Sequence, residues 1–143
     1  MSTTEYCTFF VSGVEYGIPV SEVQEVASHQ PLTRVPLGPP MVRGLMNLRG
    51  EIVTVIDFRR RLGLPERHDN QLAVNMVIRR EDGVVSLLVD DVGDVITVAN
   101  EAVDPPPVTL RGPDRDLVAG VHQRTDRLLI LLDTTANLDG CTP

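Results

Sequence analysis

Gly44-Leu-Met-Asn-Leu-Arg-Gly-Glu-Ile-Val-Thr-Val-Ile-Asp57 aligns without a gap on Gly120-Val-His-Gln-Arg-Thr-Asp-Arg-Leu-Leu-Ile-Leu-Leu-Asp133. In both stretches a largely apolar five-residue run ends at an aspartate thirteen positions after a glycine. Further back, Val20-Ser-Glu-Val-Gln-Glu-Val26 matches Val89-Asp-Asp-Val-Gly-Asp-Val95, each following a hairpin pattern. The same order of pieces occurs twice, as a duplicated small β unit would leave it, with chance similarity between valine-rich strands as the competing explanation. The boundary falls in the polar stretch from Pro65 to Asn70.

Around these repeats, β-branched runs dominate and helical periodicity is scarce. Tyr6 to Val11 and Val14 to Val20 flank the turn Ser12-Gly13 and read as a hairpin. Gly44 to Leu48 and Glu51 to Asp57 flank Arg49-Gly50; Asn75 to Arg80 and Val84 to Val89 flank Glu81-Asp82-Gly83. Leu32 to Pro36, Val95 to Ala99 and Arg127 to Asp133 complete the predicted strands. Ser21 to Val26 and Asp57 to Leu62 are each long enough for one helical turn. The expected fold is mostly β: many short strands punctuated by Gly and Pro, as in small barrels or a sandwich. Ile52 to Ile56 and Leu128 to Leu132 are apolar on both strand faces, so the other half, a helix or another protein must cover the outer face.

The 143 residues carry a formal net charge of −7, which argues against a nucleic-acid partner because phosphate binding needs a clustered basic face. No run approaches the ~18 apolar residues of a membrane span, and the start lacks a signal peptide's basic segment, so a cytoplasmic protein without direct membrane insertion is expected. All thirteen basic residues are arginine. Without lysine there is no Schiff base, no P-loop lysine and no kinase-type ATP lysine. Cys7 and Cys141 stand near opposite ends in no zinc-binding spacing and are expected to be reduced thiols.

Catalytic patterns are missing. His29, His68 and His122 fit no metal motif, and Asp90-Asp91 and Asp114/Asp116 read as solvated turn acids. No cofactor, metal or catalytic residue is assigned, and the chain is not expected to be an enzyme. A small hydrolase or ligand-binding barrel using Asp90, Asp91 and His122 is the alternative from another class. Arg59-Arg60-Arg61 reads as a short helix with Phe58 and Leu62 buried and the arginines solvated, or else as a basic patch for an acidic partner. Arg49, in a turn beside Arg43, Gly44 and Asn47, either locks loops by donating to carbonyls or holds a carboxylate of another protein.

Tyr16-Gly-Ile-Pro-Val20, Val23-Gln-Glu-Val26, Leu32-Thr-Arg-Val-Pro36, Val42-Arg-Gly44 and Asn47-Leu-Arg-Gly50, with Val55-Ile-Asp-Phe58, resemble the CheW family of bacterial chemotaxis coupling proteins. Leu87-Leu-Val-Asp90, Val92, Val95, Pro105-Pro-Pro107 and Leu128 to Asp133 continue the match, which runs from Tyr6 to Leu138. The resemblance implies one CheW-like domain over 1–143, built from two five-stranded SH3-like β-barrels with short helical turns. The first barrel is expected over 14–68, with 1–13 contributing a strand to the second, over 69–143. It implies a noncatalytic adaptor joining the regulatory domain of the histidine kinase CheA to the cytoplasmic hairpin tips of chemoreceptors, at membrane receptor arrays, or a like adaptor in a non-motility array. The chain is expected to stand alone, without receiver or kinase domain. By position, the resemblance places partner binding at Val23, Glu25, Gly44 and Arg49, to which the turn reading adds Arg43 and Asn47. One departure is Thr54, where the family usually has proline; threonine restores an N–H, and the strand edge there is expected to pair differently.

Overall fold

A computed structural model describes residues 2–28, 30–36, 38–67, 73–81, 83–107 and 117–134. They form ten strands: β1 (Thr3–Val11), β2 (Val14–Pro19), β3 (Val23–Ser28), β4 (Val42–Leu48), β5 (Glu51–Asp57), β6 (Val74–Arg80), β7 (Gly83–Val89), β8 (Asp91–Ala99), β9 (Val118–Gln123) and β10 (Leu128–Leu132). One turn of helix, α1 (Phe58–Arg61), follows β5, and single 3-10 turns occupy Val20–Glu22 and Asn100–Ala102. The hairpin β1–β2 turns through Ser12 and Gly13 at φ 52° and 79°, and β4–β5 through Arg49 and Gly50 at 51° and 88°. Positive φ at both central residues is what a two-residue turn needs to follow the right-handed strand twist.

The strands make two five-stranded sheets, ordered β8-β1-β2-β10-β9 and β3-β6-β7-β5-β4. Neighbours are antiparallel except β2 with β10 and β5 with β7. The two orders are one order written twice: β1, β2, β8, β9 and β10 stand where β6, β7, β3, β4 and β5 stand. Each sheet therefore takes its hairpin from one repeat and its other three strands from the other. A cut between 68 and 69 does not separate the sheets, because β1 and β2 both lie with β8, β9 and β10, and β6 and β7 lie with β3, β4 and β5.

Each sheet curls so that the chain leaving one edge strand reaches the opposite edge. Thr33, beyond β3, exchanges two backbone hydrogen bonds of 2.8 Å with Leu45 of β4; Asp104, beyond β8, exchanges bonds of 2.8 and 2.9 Å with Val121 of β9. The residue before each acceptor strand position is glycine for a steric reason. A Cβ on Gly44 would lie 2.6 Å from the Thr33 carbonyl oxygen, and one on Gly120 2.9 Å from that of Asp104.

The long apolar runs acquire their two-sided burial from two cores. Val53 and Val55 of β5 point with Met46, Leu48, Val77 and Leu88 into a core of their own sheet. Ile56 points the other way, with Phe58, Met76, Ile78 and Leu87, against Phe9, Val11, Tyr16, Ile18 and Leu132 of the other sheet. Phe9, Tyr16 and Phe58 close this shared core with ring centroids 5.2–5.8 Å apart, two pairs edge-to-face and one stacked. The cover ends early: Ile52 and Leu128, the first residues of the two runs, are exposed.

Several expectations are corrected. Ser21–Val26 is not a helical turn; only Val20–Glu22 is helical, and Val23 and Val26 pair with Ile78 and Met76 of β6 as strand. Long-range pairing overrides the local pattern there. Leu32–Pro36 is no strand beyond the Thr33 bridge, while β9, whose polar residues hid it, is one. Thr54 lies on no sheet edge: it pairs with Leu45 on one side and Val85 on the other. His29, His68, Asp114, Asp116 and Cys141 lie outside the described residues.

Candidate partner-binding surface

The Asn47-Leu-Arg-Gly50 block is explained residue by residue. Asn47 accepts a 2.8 Å hydrogen bond at Oδ1 from the Gly50 amide and so ties the turn. Leu48 is buried in the sheet's own core. Arg49 and Gly50 supply the two positive φ angles, and the Arg49 guanidinium donates to the Glu25 carboxylate on β3. Neither earlier reading of Arg49 describes this: it holds a carboxylate, but of its own chain. The hydrogen bond from Arg49 holds the Glu25 carboxyl below its usual range. Arg49 remains 68% exposed. Beside it Ile52, the register partner of Asn47, is 71% exposed, and Val26, next to Glu25, 47%.

The six residues assigned from sequence thus divide. Glu25, Asn47 and Arg49 meet at the turn. Val23 is half-buried and packs on the shared core. Gly44 is buried under Thr33. Arg43 points outward on β4 but toward another cluster, with Nη1 3.3 Å from Asp57 Oδ2 and 3.1 Å from Glu66 Oε2.

That cluster is the largest ionic group among the described residues. Asp57, fully buried, caps α1 by accepting from the Arg59 amide at 3.0 Å and binds Arg67 Nη1 at 3.2 and 3.3 Å. Asp90 accepts from Arg59 Nε and Nη2 at 2.9 and 2.6 Å, from Arg67 Nε at 2.8 Å and from the Ser12 amide at 2.8 Å. Ser12 belongs to one sheet's hairpin and Asp57 to the other sheet, so the network joins the two. Burial alone would raise the Asp90 pKa, but hydrogen bonds from Arg59 and Ser12 and the Arg67 charge outweigh it and hold the carboxyl low. Both sequence readings fail here: Arg59 is buried rather than solvated, and Asp90 is no solvated turn acid. Spacing gave no signal, since the partners stand 31 and 23 residues apart. A second such group was also missed: buried Glu15 on β2 accepts from Arg124 at 2.7 and 2.8 Å and Arg127 at 3.0 Å, and Arg127 lies 5.5 Å over the Phe10 ring.

The hydrolase alternative finds no convergence. Asp90 is occupied by arginines, Asp91 accepts from the Val92 amide, and His122 Nδ1 faces the Ala102 carbonyl at 3.0 Å. Among the described residues no three His, Cys, Asp or Glu side chains could hold a metal ion, and no helix is long and apolar enough to cross a membrane.

Fold and surface define a duplicated two-sheet β protein whose ionic groups hold strands and sheets together. The chain belongs to the CheW-like domain family, whose model matches residues 5–140. It is 37% identical over 134 residues to the chemotaxis protein CheW of Bacillus subtilis (strain 168), covering 92% of this chain and 84% of that protein. To the chemotaxis protein CheW of Helicobacter pylori (strain ATCC 700392 / 26695) it is 30% identical over 128 residues, covering 90% and 77%. The crystal structure of the scaffolding protein TtCheW from Thermoanaerobacter tengcongensis is similar with a TM-score of 0.83 at 26% identity, covering 92% of this chain and 90% of that one.

Proposed function

We propose that the chain is a noncatalytic scaffold of bacterial chemotaxis that couples the histidine kinase CheA, through its regulatory domain, to the cytoplasmic hairpin tips of chemoreceptors. Family membership and the similarity to chemotaxis and scaffolding proteins support this reading. The observation that carries it is the exposed ion pair of Arg49 with Glu25, with exposed apolar residues on the strands that carry it, Ile52 paired with Asn47 and Val26 following Glu25. Exposed apolar side chains and charge together suit a protein contact: apolar area gives affinity, and the charges give register and select the partner.

Within this reading Glu25, Asn47 and Arg49 touch the other protein together with Ile52 and Val26. Val23 and Gly44 act from beneath, Val23 by seating β3 on the core and Gly44 by letting the Thr33 segment lie close on β4. Arg43 serves the neighbouring arginine cluster. Calorimetric titration against the CheA regulatory domain tests the reading. Saturable association is expected, and none at ~100 μM would overturn it, since transient signalling contacts of small area still register there.

A further inference from the structure

Between the loop that follows β3 and helix α1 lies a cleft of about 510 Å³, within the size range of pockets that hold ligands. Val35, Pro39 and Pro40 give it apolar walls, and Arg34, Arg43 and Arg60 are among its lining residues. Arg34 is exposed and has no hydrogen bond or ion pair among the described residues. Arg43 and Arg60 share one carboxylate. Glu66 places Oε2 3.1 Å from Arg43 Nη1 and Oε1 2.8 Å from Arg60 Nε.

Glu66 is itself 55% exposed and comes from the segment after α1, so solvent reaches the carboxylate that bridges two cleft arginines. Glu66 is not a wall of the cleft, but its carboxylate holds two of the arginines that are. Asp57, the other acid in reach, is buried and shared with Arg67 and the Arg59 amide, so Glu66 is the exposed carboxylate that meets Arg43 and Arg60, while Arg34 meets none among the described residues. The hydrogen bond from Arg60 holds the Glu66 carboxyl below its usual range. None of Glu25, Asn47 or Arg49 takes part.

We infer that this cleft docks an acidic side chain of a protein partner, which takes Arg34 and displaces Glu66 from Arg60, with Glu66 holding the place in the free protein. Guanidinium forks donate parallel hydrogen bonds to a carboxylate, and the proline and valine walls suit an apolar residue beside the acid. The inference rests on the reading of the chain as a protein-binding scaffold, but not on which protein is bound.

The experiment follows the arginine Nε–Hε resonances of the labelled full chain during titration with the blocked peptide acetyl-Leu-Glu-Glu-Pro-amide, its Gln-Gln analogue and inorganic phosphate. Saturating shifts at Arg34 and Arg60 are expected with the glutamate peptide and not with the glutamine one. Glu66→Ala removes the internal competitor and should tighten binding about two- to fivefold, and Arg34→Ala should weaken it by a similar factor, the scale of one exposed ion pair. Both side chains are exposed, so both variants are expected to fold, which far-ultraviolet circular dichroism checks. Equal shifts with the glutamine peptide, no shift at Arg34, binding of phosphate alone, or weaker binding by Glu66→Ala would each overturn the inference. The CheA titration is read separately, so loss of one reading leaves the other standing.

Discussion

Arg49, on the β4–β5 turn, donates its guanidinium to Glu25 on β3, joining strands that lie at opposite edges of one sheet. The left-handed backbone at Arg49, fixed by the two-residue turn and by Asn47, aims the side chain back over the curled sheet. The pair therefore marks where the sheet closes on itself, and it does so in solvent.

Exposure decides what Arg49→Ala does. A solvent-screened pair contributes little to folding, so the melting midpoint should move by only a few degrees while affinity for the CheA regulatory domain falls. Glu25 has a lowered pKa in the folded chain. Its small contribution is present at neutral pH and is lost as the pH falls through that lowered value, and added salt should shrink it further. Thermal melts at two salt concentrations, beside a binding titration, check this; a large drop in melting midpoint would make Arg49 a structural lock.

Gly44→Ala should behave in the opposite way. Its Cβ would press on the Thr33 carbonyl oxygen, and backbone on both sides is held by the Thr33–Leu45 bridge. A loss of about 1–3 kcal/mol is expected by urea unfolding, with a loss of the same order for Gly120→Ala against Asp104. Unchanged stability in either variant would mean that the strand crossing is looser than described.

Asp90→Asn keeps the side-chain shape but removes the charge that Arg59 and Arg67 share. With all three side chains largely buried, we expect a loss of about 3 kcal/mol at pH 7. Because the folded pKa of Asp90 lies below its unfolded value, its contribution is fully present above the unfolded pKa and disappears as pH drops through the folded one. The stability gap between wild type and variant should therefore narrow below about pH 4. A gap independent of pH would contradict the ionic account.

The exchanged hairpins make the two sheets interdependent. Unfolding of the whole chain should be one transition, coincident by far-ultraviolet circular dichroism and tyrosine fluorescence. A fragment of residues 14–68 lacks β6 and β7, the strands between β3 and β5, and should not fold. A cooperative transition in that fragment would count against the described sheet order.

Much of this was legible in the chain because the signals are local. Turn pairs such as Ser12-Gly13 and Arg49-Gly50 fix hairpins whatever surrounds them, and the repeat ending at Asp57 and Asp133 exposed the duplication. What stayed hidden depends on contacts between distant segments. Hairpin exchange leaves no mark in a repeat that reads the same whichever copy the hairpin joins. Arg59 looked solvated because its acceptor Asp90 stands 31 residues away, and Ile52 looked covered because its run continues into a core that begins only at Val53. At the candidate surface, the identity of Arg49 was readable but its acceptor Glu25 was not, since curling of the sheet brings them together.

The most direct measurement is the rate of CheA autophosphorylation in receptor-bearing membranes, with and without this chain. The account predicts a severalfold rise that depends on the chain and is lost in Ile52→Arg while the variant stays folded. The same rate in the presence and absence of the chain, with both proteins bound to the membranes, would contradict it.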